Sequence, residues 1–212
     1  CCFDGVKFKT FNKQEHDSDV PPRKIQRIVE DKNGYIWVKT IDRKLYVFNK
    51  VTECFHAVYD DMKNYSENIQ VIKLQNTAEG DVLLLTKDKN LLLAGVDEKG
   101  QVTIKILFDS RNEINKHDYT LKHHVLCETE EYISWIGTDY KVAAVHKGSE
   151  LASRPADFIT SKINSGDKDS FTSFFEDGRK VWVGDRAGIF YSIDVRTGLV
   201  NRYVLSEIKA VS

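Results

Sequence analysis

One pattern of residues occurs twice in this chain and constrains its fold more than any other feature. Ile25 to Thr40 runs as an apolar stretch, the acidic pair Glu30-Asp31, a Lys32-Asn33-Gly34 turn and the strand-like Tyr35-Ile36-Trp37-Val38. Phe171 to Asp185 repeats it, with Glu176-Asp177-Gly178 leading into Val181-Trp182-Val183-Gly184. A weaker copy, Leu121 to Thr138, ends in Ile133-Ser134-Trp135-Ile136-Gly137-Thr138, and a fourth, Ile69 to Thr86, has no tryptophan. Aligning the second apolar run of each copy puts Trp37, Leu83, Trp135 and Trp182 in one register, at separations of 46, 52 and 47 residues.

Each copy is built of short runs rich in Val, Ile, Phe, Tyr and Trp, bounded by Gly, Asn, Asp and Lys, which is the pattern of strands rather than helices. In the first copy, Ile25–Asp31, Tyr35–Thr40, Lys44–Asn49 and Cys54–Val58 read as four successive strands. The Asn33-Gly34 pair accepts the positive φ that a tight hairpin needs. A repeat of about 40–50 residues holding about four strands is the signature of β-propeller blades. A lone sandwich would alternate apolar and polar residues more cleanly. Here Tyr35 and Trp37 point one way and Ile36 and Val38 the other, so both faces of the sheet are apolar, as blades stacked face to face require. The expected fold is therefore all-β: a propeller segment of four four-stranded antiparallel blades at 25–59, 69–109, 120–161 and 171–205. Partial blades are expected at 1–12 and 208–212. Ring closure needs more blades than four, so the segment is expected either to belong to a longer propeller or to cover its open faces with another copy.

The residues Glu30-Asp31-Lys32-Asn33-Gly34-Tyr35-Ile36-Trp37-Val38-Lys39-Thr40, followed by Leu45-Tyr46-Val47-Phe48-Asn49, resemble the two-component regulator propeller repeat. Glu176-Asp177-Gly178 with Val181-Trp182-Val183-Gly184 and Gly188-Ile189-Phe190-Tyr191 is a second close match, and Trp135-Ile136-Gly137-Thr138 a partial one. Lys39 stands where the repeat has Gly, and Leu83 where it has Trp. Such repeats form the periplasmic sensor region of Bacteroides-type hybrid two-component systems. The resemblance implies an oligosaccharide ligand, further propeller blades and a homodimeric parent protein. It also implies a membrane helix and a histidine kinase elsewhere in that parent, so that signalling by phosphorelay lies outside this segment.

Charge narrows the remaining options. Lys plus Arg is 31 and Asp plus Glu 32 among 212 residues, a formal charge of −1, so there is no cation excess to drive nucleic-acid binding by counterion release. Hydrophobic residues at 41% are enough for a core, and no apolar run approaches the roughly 20 residues of a spanning helix. His123 and His124 are adjacent on an expected strand and point to opposite faces, while His16, His56, His117 and His146 lack ligand spacing, so no metal is expected. The run His16-Asp17-Ser18-Asp19 lacks the glycine and glutamate of a calcium loop. Carboxylate pairs such as Asp60-Asp61 and Glu130-Glu131 are not singled out as the acid pair of a glycosidase. No hydrolase elbow, phosphate loop or dinucleotide fingerprint occurs, so neither a catalytic residue nor a cofactor is expected. Cys1, Cys2, Cys54 and Cys127 are expected as free thiols, since Cys54 and Cys127 fall on separated blades.

Asp31, Gly34, Trp37, Trp135, Asp177 and Trp182 are thus the structural residues of the repeat, with Asp31 and Asp177 expected to bind backbone N–H groups of their turns. Function is expected on loops. The connections at 13–24, 60–68, 110–119 and 162–170 are long and polar, and in a propeller they share one face with the turns around Asp42-Arg43, Lys89-Asn90, Asp139-Tyr140 and Asp185-Arg186. Arg43, Tyr65, Tyr119, Tyr140 and Arg186 are the candidates for stacking on or hydrogen-bonding a sugar, including an acidic one. A non-sensory interaction scaffold is the alternative, and a propeller glycosidase or lyase a third.

Overall fold

The computed structural model describes residues 2–3, 6, 8–9, 24–63, 65, 70–111, 121–137, 142–148, 156–157, 171–185 and 188–205. The opening strands β1 (Cys2–Phe3) and β2 (Phe8–Lys9) pair antiparallel. Blade I follows as β3 (Ile25–Glu30), β4 (Ile36–Thr40), β5 (Leu45–Asn49) and β6 (Cys54–Ala57), and the single helical turn α1 (Tyr59–Met62) leads out of it. Blade II is β7 (Val71–Asn76), β8 (Val82–Thr86), β9 (Leu91–Val96) and β10 (Val102–Phe108). Blade III is β11 (Leu121–Glu128), β12 (Tyr132–Gly137), β13 (Val142–His146) and β14 (Ala156–Asp157). Blade IV is β15 (Phe171–Asp177), β16 (Lys180–Asp185), β17 (Ile189–Asp194) and β18 (Val200–Val204). Each blade is a four-stranded antiparallel meander in which every strand pairs with its neighbours in sequence. The chain is an all-β propeller segment.

Two compact units are present: Cys1–Asp88 with Leu93–Lys105, and Lys89–Leu92 with Ile106–Ser212. In the first, Val82, Leu83, Leu84 and Leu85 are all fully buried. Successive residues of a strand point to opposite faces, so β8 is covered on both sides, the condition that both-faced apolar strands require. Blade I meets blade II along the turn after β3. Lys32 N donates to Gly80 O at 2.7 Å, the Lys32 ammonium pairs with Asp81 Oδ1 at 2.8 Å, and Asn76 Nδ2 donates to Glu30 O. Gly80 has φ +79°, and a Cβ there would lie 2.9 Å from Lys32 Cβ, so this turn needs glycine for both its conformation and the close approach.

In the second unit, Ile136, Val142 and Ala144 of blade III pack with Val181, Val183, Tyr191 and Ile193 of blade IV. Glu130 N donates to Gly178 O at 3.1 Å, the counterpart of the Lys32–Gly80 bond. Cys127 is buried and Cys54 exposed, and neither is in a disulfide; the Cys1 and Cys2 side chains, like residues 208–212, lie outside the described residues.

The tryptophan register departs from the alignment on sequence. In blade I, Asp31 N bonds Tyr35 O across the turn, and Trp37 lies two residues on. Blade II closes with Thr77 N to Asp81 O, two residues before Leu83, and blade IV pairs Asp177 with Lys180, two residues before Trp182. Blade III closes with Thr129 N to Tyr132 O, so its equivalent position is Ser134, and Trp135 stands one residue too far along. A slip of one residue turns a strand side chain to the opposite face. Trp135 accordingly packs against Phe108, ring centroids 5.1 Å apart, while Ser134 takes the tryptophan place on the other side. Ser134 is buried, and its Oγ has no hydrogen-bond partner among the described residues.

Candidate functional site

The β4–β5 turn positions the first candidate. Thr40 N donates to Lys44 O at 3.0 Å, Arg43 N to Thr40 O at 3.0 Å and Lys44 N to Thr40 Oγ1 at 3.1 Å. The Thr40 hydroxyl, itself buried, donates to Asp42 Oδ1 at 2.5 Å. Arg43 takes φ +67°, and its carbonyl accepts Val71 N at 2.9 Å, tying the turn to the start of β7. The backbone is thereby held at both ends while the Arg43 side chain is exposed. Blade II repeats the device, with Thr86 Oγ1 donating to Asp88 Oδ1 and Lys89 at φ +69°.

Facing this turn is α1. Met62 N bonds Val58 O at 3.2 Å, Tyr65 N bonds Met62 O at 2.9 Å, and His56 Nε2 on β6 donates to Asp61 Oδ2 at 2.7 Å. Met62 and Val58 are fully buried, so the helical turn is pinned from below. Between the turn and the helix lies a cavity of about 470 Å³ with Leu45, Val58 and Met62 among its apolar lining. Asp42, Arg43, Lys44, Tyr46, Tyr59 and Gln70 supply its polar groups. That volume lies within the range of small-molecule sites, as does the mix of an apolar floor with a few convergent polar groups.

The cavity is biased toward positive charge. Lys44 Nζ lies 3.7 Å from Asp42 Oδ2 and offsets that carboxylate, leaving Arg43 as the surplus cation among the described lining residues. Lys39, on β4, is 4% exposed, its ammonium donating to Gln26 Oε1. Burial, reinforced by the Arg43 guanidinium, pushes the Lys39 ammonium below the usual lysine range. The Lys63 ammonium sits 5.2 Å from the Tyr59 ring centroid at the edge of α1.

Of the five candidates from sequence, the structure places Arg43 in the cavity wall, and Tyr65, half-buried, one turn of chain past Met62 and outside the lining. Tyr119, Tyr140 and Arg186 lie outside the described residues. Tyr46, Tyr59 and Gln70 were missed. Tyr46 reads as core, and Tyr59 and Gln70 flank the long 60–68 connection, so their meeting depends on a helical turn too short to show a period. A second cavity, of about 320 Å³ in the other unit, is lined by Glu130, Glu131, Arg179 and Arg196. There Arg179–Glu130 and Arg196–Glu131 lie 4.0 Å apart, exposed pairs whose charges offset one another.

The repeat's structural residues divide. Asp31 is buried; its Oδ1 accepts Asn33 N and Tyr35 N, each at 3.0 Å, and its Oδ2 accepts Trp37 Nε1 at 2.8 Å and Val96 N at 3.2 Å. Gly34 closes that turn at φ +82°. Asp177 stands in the same place before Trp182 but is exposed, and among the described residues its carboxylate binds neither its turn nor the indole. The turn explains this: blade IV uses two residues, Gly178-Arg179, where blade I uses three.

No protein-family description matches the chain, and no curated protein does. Solved structures do. The extracellular domain of the hybrid two-component system BT4673 from B. thetaiotaomicron superposes with a TM-score of 0.53 at 13% identity, over 95% of this chain and 23% of that one. The Dos1 propeller gives a TM-score of 0.52 at 13% identity, over 84% of this chain and 45% of that one. YCF48 from Cyanidioschyzon merolae gives 0.50 at 12% identity, over 90% of this chain and 63% of that one. The chain thus spans about a quarter of that extracellular domain and about half of the Dos1 propeller. At these identities the likeness is one of fold, and it agrees with the four meanders: this chain has the architecture of a β-propeller segment.

Proposed function

We propose that this segment is a ligand-recognising part of an extracytoplasmic sensor, and that its ligand is an oligosaccharide bearing a carboxylate. The observation that carries the reading is the cavity between the β4–β5 turn and α1, with Arg43 as its surplus cation. An arginine fork matches a carboxylate bidentately, and Tyr46, Tyr59 and Gln70 supply the ring faces and amide that sugars use. The repeat's resemblance to two-component regulator propellers and the fold shared with the BT4673 extracellular domain support the sensory role. In that setting the segment lies in the periplasm, and the kinase, the membrane helix and the homodimer contacts belong to other parts of the parent protein.

Binding rather than turnover fits the cavity. Asp42 is the one carboxylate among its described lining residues, and it is engaged by Thr40 Oγ1 and Lys44. Glycoside hydrolysis uses two carboxyl groups across the scissile bond. Isothermal titration with uronic-acid oligosaccharides and their neutral counterparts tests the proposal. Heat from the acidic sugars alone, lost in Arg43→Ala, supports it; equal binding of neutral sugars, or binding indifferent to Arg43, contradicts it.

A further inference from the structure

The first turns of blades III and IV meet differently from those of blades I and II. In the first unit three contacts occupy the seam. The Lys32 ammonium meets Asp81 Oδ1 at 2.8 Å, Asn33 Nδ2 donates to Val96 O at 2.5 Å, and Tyr35 Oη stands 3.3 Å from where a Cβ on Gly100 would lie. In the second unit each of these is changed. The blade III turn holds only Glu130 and Glu131, one residue fewer, so Asn33 has no counterpart. Tyr132 closes its turn as Tyr35 does, but its ring packs edge-on against His146, centroids 5.1 Å apart. Glu130 stands in the place of Lys32, and the nearest oxygen of its carboxylate is 4.0 Å from Arg179 Nε. The cavity of about 320 Å³ lies at this seam.

Two ion pairs line that cavity without closing it. Glu130 with Arg179, and Glu131 with Arg196, are each held at 4.0 Å, beyond hydrogen-bond distance. The backbones beneath them are fixed: Glu130 N donates to Gly178 O, Glu131 O accepts Lys147 N, Arg179 N donates to Asp177 O and Arg196 N to Asp194 Oδ1. The four charged groups are exposed and make no side-chain hydrogen bond among the described residues, so a ligand reaches them without breaking one. Asp194, the third carboxylate of the lining, is engaged by its own turn, its Oδ1 accepting Arg196 N at 3.0 Å and Thr197 N at 2.9 Å.

The sign pattern selects the ligand. A lone anion drawn to the arginines also meets Glu130 and Glu131, and a lone cation drawn to the glutamates also meets Arg179 and Arg196. A molecule carrying both charges matches both sets, and each singly charged competitor is repelled by one of them. We propose that this cavity binds a small zwitterion of the amino-acid class, its carboxylate on the Arg179 and Arg196 guanidinium groups and its ammonium on Glu130 and Glu131.

The test is isothermal titration of the 212-residue chain with glycine, 4-aminobutyrate and 6-aminohexanoate, which differ in the separation of ammonium and carboxylate. At least one is expected to bind saturably, and at least tenfold more tightly than the carboxylate or the amine of the same chain length. Arg179→Gln and Glu131→Gln are each expected to weaken that binding at least fivefold while leaving the thermal unfolding midpoint unchanged, since both side chains are exposed. In the isotope-labelled chain, the amide resonances of Gly178, Arg196 and Thr197 should move along the same titration curve. Absence of saturable binding by all three zwitterions overturns the proposal. So does equal binding of the singly charged counterparts, or binding that neither substitution weakens.

Discussion

The indole N–H of Trp37 and the main-chain N–H of Val96 share one oxygen, Oδ2 of Asp31, at 2.8 and 3.2 Å. One buried carboxylate therefore closes its own hairpin, fixes the rotamer of the blade's central aromatic and bonds the next blade. Removing it leaves several buried donors unsatisfied at once, and each costs its desolvation. Asp31→Ala is expected to destabilise the chain by about 2–4 kcal/mol. Trp37→Phe should cost less, and the double variant should show a coupling of at least about 0.5 kcal/mol in a denaturant-unfolding cycle. Additive effects would mean that the two side chains act independently.

The three tryptophans should differ in cost. Trp37 and Trp135 are fully buried, so replacing either by Ala should cost about 3–5 kcal/mol. Trp182 is half-buried, on the face of blade IV opposite Val181 and Val183, and its replacement should cost roughly 1–2 kcal/mol. Equal losses at all three positions, measured by chemical denaturation, would contradict the faces assigned to them.

Ser134 fills a tryptophan place with a hydroxyl that is buried and without a partner among the described residues. Ser134→Ala removes the desolvation cost of that oxygen while creating almost no cavity. It is expected to raise stability by about 1 kcal/mol. A loss of similar size would show that the hydroxyl is bonded.

Lys39 links stability to alkaline pH. Burial lowers its folded-state pKa below the ordinary 10.5, whereas the unfolded chain keeps the ordinary value. Between the folded and unfolded pKa values the unfolded state holds more protons, so stability rises with pH through that window and is flat in this group below it. Lys39→Met should lose this rise. Lys89, lowered by burial, and Lys32, raised by its bond to Asp81, titrate in both proteins and cancel in the difference. Parallel stability profiles from neutral pH to about pH 10 would contradict the assignment.

Much of the architecture was legible in the residues. Runs such as Val82–Leu85, apolar on both faces, and the recurrence of Asp, Gly and Trp at about blade spacing were enough for four meanders, and strand ends shift by only a residue or two. The register of blade III was not legible. Trp135-Ile136-Gly137-Thr138 matches the motif, but the Glu130-Glu131 turn is shorter than Lys32-Asn33-Gly34, and only the pairing of Thr129 with Tyr132 reveals the slip. Asp177 misled for the same reason, because its shorter turn carries its carboxylate away from Trp182. At the site, Arg43 was legible as a turn residue of the loop face. Tyr46, Tyr59 and Gln70 were not, since α1 brings them together through Met62 and the His56–Asp61 bond, contacts that no local pattern encodes.

Recognition of an acidic sugar at the β4–β5 turn is tested most directly by one titration series. A uronic-acid oligosaccharide is titrated into the chain, into Arg43→Ala and into Arg43→Lys, with heat recorded at low and high salt. The account predicts saturable binding to the chain, a loss of at least tenfold in Arg43→Ala and a smaller loss in Arg43→Lys, because an ammonium keeps the charge but not the fork. Salt should weaken binding to the chain more than any residual binding to Arg43→Ala. Undiminished affinity in Arg43→Ala would contradict it.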